Sequence, residues 1–270
     1  MELIRTGIKD KKRIVIKVGT STLTHSTGSL NLRIMDKLAM VLSDIKKNDT
    51  EIILVTSGSI TAGVSKLGLN ERPKSVKERQ AAASVGQCEL MFTYDKLFSQ
   101  YGQMVSQILL TRAITDNDLY RNNIINTFET LLTYGVIPIV NENDTVAVDE
   151  LVYGDNDTLS AVTAKLVKAD MLIILSDIDG FYDKNPQLNE NAKLVPVVEE
   201  ITLEIENSAG DSQSLVGTGG MSTKISAAKI AVNAGIDMVI CNGKHPESLY
   251  DILEGKQVGT IFRGKKVKSI

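Results

Sequence analysis

Five short apolar runs punctuate the chain, and each stops on small and polar residues. Ile14-Val15-Ile16-Lys17-Val18 gives way to Gly19-Thr20-Ser21, and Ile52-Ile53-Leu54-Val55 to Thr56-Ser57-Gly58. Val136-Ile137-Pro138-Ile139-Val140 ends on Asn141-Glu142-Asn143-Asp144. Met171-Leu172-Ile173-Ile174-Leu175 ends on Ser176-Asp177, and Met238-Val239-Ile240-Cys241 on Asn242-Gly243. Short β-branched runs flanked by helical patterns predict parallel strands buried on both faces. Ligands bind beyond the carboxyl ends of such strands, so the polar endings are expected to gather into one functional rim.

Between the runs, Ile34, Met35, Leu38, Val41, Leu42 and Ile45 recur at helical spacing on one face. A helix is expected after Ser57-Gly58, a long one over 76–101, whole or broken, a strand over 104–110 and a helix over 122–134. Residues 145–153 alternate apolar and polar positions (Val146, Val148, Leu151), the pattern of a small antiparallel excursion. Asp155-Asn156-Asp157-Thr158 supplies N-cap chemistry for a helix that buries Leu159, Val162, Leu166 and Val167. Residues 181–217 are rich in turn signals, including Asn185-Pro186, and are expected to wrap the rim. The stretch 217–224 then leads into a helix bearing Ile225, Ala228, Ile230, Ala231 and Ala234. No composition break marks a linker and no repeat is evident. The expected architecture is one α/β domain, a three-layer αβα sandwich around a mostly parallel central sheet.

A length of 270 residues is enough for one large domain or two lobes. The formal net charge is −3 with acids and bases interspersed, which does not favour a nucleic-acid or anionic-membrane surface. The basic stretch 263–268 reads as a solvated end. Cys88 falls in a helical pattern and Cys241 ends a strand; both read as buried thiols, not as a disulfide framework, which fits a reducing cytoplasm. No signal-peptide pattern opens the chain, and no run approaches the ~18 apolar residues of a membrane span. A soluble cytoplasmic protein is expected.

The strongest local chemistry is Gly217-Thr218-Gly219-Gly220-Met221-Ser222-Thr223-Lys224. Glycines and hydroxyl residues at a helix start free several backbone N–H groups, which form an anion site together with the helix dipole. Lys224 lies near the first turn, within reach of a phosphate. The spacing is not that of a P-loop, and no Gly-x-Gly-x-x-Gly follows the first strand. Lys17 lies inside an apolar strand, where an ammonium needs an anionic partner or an opening to the rim. Gly19-Thr20-Ser21 follows it and is expected to add unencumbered N–H donors. Two lysines and two glycine-rich turns on one rim suit a phosphoryl group, whose transfer depends mostly on positioning and electrostatics. Ser57-Gly58 opens a helix and can cap it or hold an anion. Asn141, Asn143 and Asp144 form one polar cluster and Asp155, Asn156 and Asp157 another; each reads as turns and caps in isolation, and together they can accept a substrate ammonium and orient lysines. Asp177 can accept from a ribose or base, or close a turn. Mg²⁺ usually arrives with nucleotide phosphates, so no dedicated protein cage is required. His25 and His245 receive no role.

Taken together, Val15-Ile16-Lys17-Val18-Gly19-Thr20-Ser21, Val55-Thr56-Ser57-Gly58-Ser59-Ile60, Leu110-Thr111-Arg112, Asn141-Glu142-Asn143-Asp144, Gly154-Asp155-Asn156-Asp157 and the 217–224 stretch resemble the amino acid kinase family. Within it they are most similar to the branch that acts on glutamate. The matching stretches span about 13–262. The resemblance implies transfer of the γ-phosphoryl group of ATP, with Mg²⁺, to the side-chain carboxylate of L-glutamate, the first step of proline biosynthesis. It implies a substrate site at Ser57, Asp144 and Asn156. It implies ATP contacts at Lys17, Ser176, Asp177, Thr218, Gly219, Gly220, Met221, Ser222, Thr223 and Lys224. Lys17 and Lys224 would stabilise the transferring group, and Asp157 would hold both ammoniums. It further implies a glutamate lobe over roughly 1–170 and an ATP lobe over 171–270, a homo-oligomer, and inhibition by proline. Many members carry a further C-terminal RNA-binding-like domain; the expectation here is the kinase domain alone. Two alternatives stay open: a sibling kinase with another acceptor, and a non-catalytic sensor of amino acid or nucleotide. Asp144 suits a free α-ammonium, and the presence of both lysines speaks against a sensor.

Overall fold

A computed structural model of the chain describes residues 7–146, 156–186, 188–210 and 220–265. In chain order the elements are β1 (Arg13–Val18), α1 (Thr20–Leu23), α2 (Leu32–Lys46), β2 (Glu51–Val55), α3 (Ser59–Lys66), α4 (Val76–Gln100), β3 (Val105–Leu110), α5 (Arg112–Asp116) and α6 (Asp118–Thr133). They continue with β4 (Ile137–Glu142), α7 (Asn156–Leu166), β5 (Met171–Ser176), β6 (Val197–Val198), α8 (Leu203–Gly210), α9 (Met221–Asn233), β7 (Asp237–Asn242), α10 (Ser248–Leu253) and β8 (Thr260–Phe262).

The described strands form one eight-stranded sheet in the order β3-β4-β2-β1-β5-β7-β8-β6. The first six strands of that order run parallel, and β8 turns back antiparallel to β7. From β1 the chain passes to β2 on one side, whereas β5 lies against the other side of β1 and leads away toward β7. The β1–β5 seam is therefore a topological switch point, where an open α/β sheet leaves a crevice for ligand.

Strand alternation distributes side chains to two helical layers. Ile14, Ile16 and Val18 face the layer of Met35, Leu38 and Leu42 from α2 and Leu90, Tyr94 and Phe98 from α4. Val15 faces the layer of Leu159, Ala161 and Ala164 from α7 and Ile225 and Ala228 from α9. Lys17 shares the parity of Val15, so its side chain is sent toward α7 and α9. The expected three-layer sandwich is the one found.

Several details differ from the sequence reading. β4 does not stop at Val140 but carries Asn141 and Glu142, both buried, inside the sheet. α6 starts ahead of position 122, because the Asn117 side chain caps it by accepting from the Leu119 and Tyr120 amides. The stretch read as turns after 181 contains a Tyr182–Leu194 bridge, β6 and α8. Cys241 is buried, but Cys88 is exposed. It follows Gln87 on α4 by one residue, and about 100° of helical rotation carries it off the buried stripe. Val146 of the proposed excursion is exposed; 147–155, including Val148, Leu151 and Asp155, lie outside the described residues, as do positions 266–270 of the basic end.

α3 and α4 touch backbone to backbone. A Cβ on Gly63 would lie 1.8 Å from the Ala82 carbonyl oxygen, and one on Gly86 would lie 1.7 Å from that of Ser59. Only glycine permits this approach, which seats α4 directly beneath the carboxyl ends of β2 and β4.

Candidate active site

Lys17 projects from the end of β1 and meets the first turn of α7, where its Nζ lies 2.5 Å from Asp157 Oδ1. Lys224, in the first turn of α9, donates from Nζ to the other oxygen, Oδ2, at 3.2 Å. The Thr223 hydroxyl reaches Asp157 Oδ2 at 3.0 Å and the Gly220 carbonyl at 2.8 Å. Asp157 is fully buried, and the two lysines are only 6% and 5% exposed. Burial by itself would raise the Asp157 pKa. The charges and hydrogen bonds of Lys17 and Lys224 outweigh it and hold the carboxyl well below its usual range. Two ammoniums thus share one buried carboxylate, in a setting where their charge is poorly screened.

The amino end of α9 adds to this field. Gly220 stands at the N-cap of α9 in extended conformation, and no described side chain caps the helix. The leading amides of such a helix start lack intrahelical partners and point toward an anion. Gly19 departs from expectation, because its N–H is spent on the Leu175 carbonyl at 3.2 Å. It ties the end of β1 to β5 and offers no free donor. At the end of β5, buried Ser176 donates to Asp177 Oδ1 at 3.1 Å, and Asp177 is exposed. Of the expected phosphate loop, Thr218 and Gly219 lie outside the described residues; Gly220, Met221 and Thr223 are half-buried and Ser222 exposed.

A second group of polar residues lies across the ends of β2 and β4. Asn156 opens α7 beside Asp157. Its Nδ2 donates to the Thr56 carbonyl at 2.6 Å, to Asn141 Oδ1 at 2.9 Å and to Ser57 Oγ at 3.1 Å. Gly58 then turns the chain into α3 with φ +95°, a left-handed conformation that glycine adopts without strain. Ser59, the first residue of α3, donates to Asp144 Oδ2 at 2.7 Å. Burial raises the Asp144 pKa, while the Ser59 hydrogen bond and the Arg72 charge pull it back in part. Asn143 turns inward on its own loop, accepting from Thr145 Oγ1 at 2.5 Å.

Lys17, Asp157, Thr223 and Lys224 thus meet in one cluster, and Asn156 adjoins it and gathers Ser57 and Asn141. Asp144 is held separately through Ser59. Sequence reasoning missed three residues. Gln87 and Tyr94 rise from α4 under the site; Gln87 Oε1 accepts from Asn141 Nδ2 at 2.8 Å, and the Tyr94 hydroxyl pairs with Thr56 Oγ1 at 2.9 Å. Ser59 was passed over as a helix residue. The polar side chain of Gln87 beside Gly86 was the one available signal. Among the described residues no three His, Cys, Asp or Glu side chains cluster as a metal-binding set, and Asp157 is already committed to two ammoniums.

Comparison with known proteins shows the family and the fold. The sequence profile of the Amino acid kinase family matches residues 12–242. A glutamate 5-kinase of Clostridium perfringens is 54% identical over 97% of this chain and 99% of its own length. A glutamate 5-kinase of Listeria monocytogenes is 55% identical, with 97% of each chain covered. Among solved structures, a carbamate kinase from Giardia lamblia bound to AMP-PNP superposes with a TM-score of 0.68 at 16% identity, covering 95% of this chain and all of that one. The isopentenyl phosphate kinase of T. acidophilum, in a product complex, gives 0.64 at 19% identity over 93% of this chain and all of its own. At such identities these two share the fold alone. With the profile and these relatives spanning nearly the whole chain, the protein belongs to the amino acid kinase family.

Proposed function

We propose that this chain transfers the γ-phosphoryl group of ATP to the side-chain carboxylate of L-glutamate, giving L-glutamyl 5-phosphate and ADP as the first step of proline biosynthesis. Relatives named for that reaction match nearly end to end at 54–55% identity. The observation that carries the reading is the convergence of Lys17 and Lys224 on Asp157. A phosphoryl group in flight spreads charge over its equatorial oxygens, and preorganised cations stabilise it. The acceptor carboxylate is already anionic at neutral pH, so no general base is needed. Asp157 keeps the two ammoniums adjacent, so that both can face the reacting groups.

Ser57, Asp144 and Asn156 form the glutamate side of this assignment, with Asp144 opposite the α-ammonium. Lys17, Ser176, Asp177 and the 218–224 stretch form the ATP side, so Lys17 belongs to both the nucleotide set and the catalytic set. The division assigns roughly 1–170 to glutamate and 171–270 to ATP, although one sheet runs through both. Mg²⁺ carried by the nucleotide would supply positive charge against its phosphates; no described side chain is assigned to it. No described helix is long and apolar enough to cross a membrane.

The test is ADP release with ATP and Mg²⁺ across L-glutamate, N-acetylglutamate, L-aspartate, carbamate and UMP, with hydroxylamine trapping of the acyl phosphate. Turnover and hydroxamate that depend on L-glutamate are expected. Preference for another acceptor, or ADP release without hydroxamate, overturns the assignment.

A further inference from the structure

Three carboxamides run in file beneath the glutamate side of the site, from Asn156 on α7 through Asn141 on β4 to Gln87 on α4. Their directions are fixed by main-chain groups. The Thr56 carbonyl can only accept, so the end of Asn156 that lies 2.6 Å from it is the nitrogen. The Glu142 amide can only donate, so the end of Asn141 that lies 2.9 Å from it is the oxygen. Asn141 Oδ1 therefore also receives Asn156 Nδ2, and Asn141 Nδ2 is left to donate to Gln87 Oε1 at 2.8 Å. Asn156 Oδ1 is turned away from Thr56 and Asn141, on a half-buried residue beside Asp157.

Gln87 closes the file at a cost. The residue is 9% exposed, and its Nε2 is buried without a hydrogen-bond partner. Methionine or leucine would fill similar volume and bury no lone donor. What the amide supplies, and they do not, is a neutral acceptor for Asn141 in a site that must admit an anionic substrate. The placement is rigid, because Gly86 beside it brings α4 against Ser59.

Resting on the proposed glutamate site, we propose that Gln87 is a positioning residue: through Asn141 it holds the Asn156 carboxamide with Oδ1 presented to the α-ammonium of the substrate. It does not touch ATP or the transferring phosphoryl group. Its loss should be felt in glutamate binding and not in nucleotide binding.

Steady-state kinetics of the full chain provide the test, with the wild-type chain measured first for glutamate-dependent ADP release. Absence of that activity defeats the proposed function itself and is thereby told apart from failure of this inference. In an active protein, Gln87→Met is expected to raise the KM for glutamate about tenfold, the scale of stranding one buried amide, with the KM for ATP within about twofold. In an Asn141→Ala background the same substitution should add less than about twofold, because the partner it acts through is gone. Gln87→Glu guards against a Met variant that does not fold. Burial favours its neutral acid, whose carbonyl oxygen accepts from Asn141 as the amide does, so its glutamate KM should stay within about threefold of wild type at the same pH. Equal increases in both KM values, an unchanged glutamate KM in Gln87→Met, full additivity with Asn141→Ala, or a Glu variant about tenfold impaired would each overturn the proposal.

Discussion

Replacing Lys224 by alanine separates catalysis from folding in this site. The buried cluster of Lys17, Asp157 and Lys224 sums to one positive charge. Without Lys224 the remaining pair sums to zero, and the transferring phosphoryl group loses a preorganised donor. Removal of one such donor costs about 10²–10³-fold in kcat, or ~3–4 kcal/mol in the barrier. The fold should tolerate the change. Asp157 keeps Lys17 at 2.5 Å and the Thr223 hydroxyl at 3.0 Å, so its buried carboxylate stays paired. The assay is coupled ADP release at saturating ATP and glutamate, beside thermal unfolding of the same preparation. A kcat depressed by two to three orders of magnitude with a melting temperature within a few degrees of wild type is expected. An unchanged kcat with a raised KM for ATP would mean that Lys224 only anchors the ground-state nucleotide, and the argument from its position would fail.

Other perturbations read other parts of the structure. Asp157→Asn removes the carboxylate that two buried ammoniums share and should cost about 3–5 kcal/mol in stability by denaturant titration as well as activity; a loss of activity alone would show that the carboxylate does not offset their burial. Asp144 has a raised pKa, so it takes up a proton at higher pH than an ordinary aspartate as the solution is acidified. The α-ammonium requires the ionised form, so kcat/KM for glutamate should fall on that acid limb while the KM for ATP holds, and an identical limb in Asp144→Asn would rule Asp144 out as its source. The same shift means that ionised Asp144 disfavours the folded state, a penalty absent below its unfolded pKa and fully present above the folded one. Gly86→Ala pushes a Cβ to 1.7 Å from the Ser59 oxygen and must part α3 from α4; about 1–3 kcal/mol of destabilisation is expected in urea, and a neutral result would contradict the close packing. Proline at millimolar concentration should compete with glutamate; rates unaffected by it would remove proline as a ligand.

Much of this was legible in the sequence because it is local. Apolar runs and their polar endings marked the strands and the rim, and the lone lysine in the first run called for an anionic partner or an opening to the rim. The partner itself could be named only by resemblance, since joining Lys17 to Asp157 and Lys224 depends on how α7 and α9 lie over β1. α4 was the least legible element. Its buried stripe includes Ala82, Gly86, Gln87 and Thr93 beside Leu90 and Tyr94, while Phe92 is exposed. Hydrophobic periodicity therefore could not say which way it faces, and neither the contact of Gln87 with Asn141 nor the exposure of Cys88 could be foreseen. Gly19 misled for a related reason: its amide is claimed by Leu175, a partner set by the pairing of β1 with β5.

The most direct measurement is a crystal structure with ADP, glutamate and a planar metal-fluoride mimic of the phosphoryl group in flight. Both the Lys17 and Lys224 ammoniums are predicted to lie within hydrogen-bond distance of that mimic while still sharing Asp157. A mimic contacted by only one of them, with the other directed elsewhere, would contradict the account.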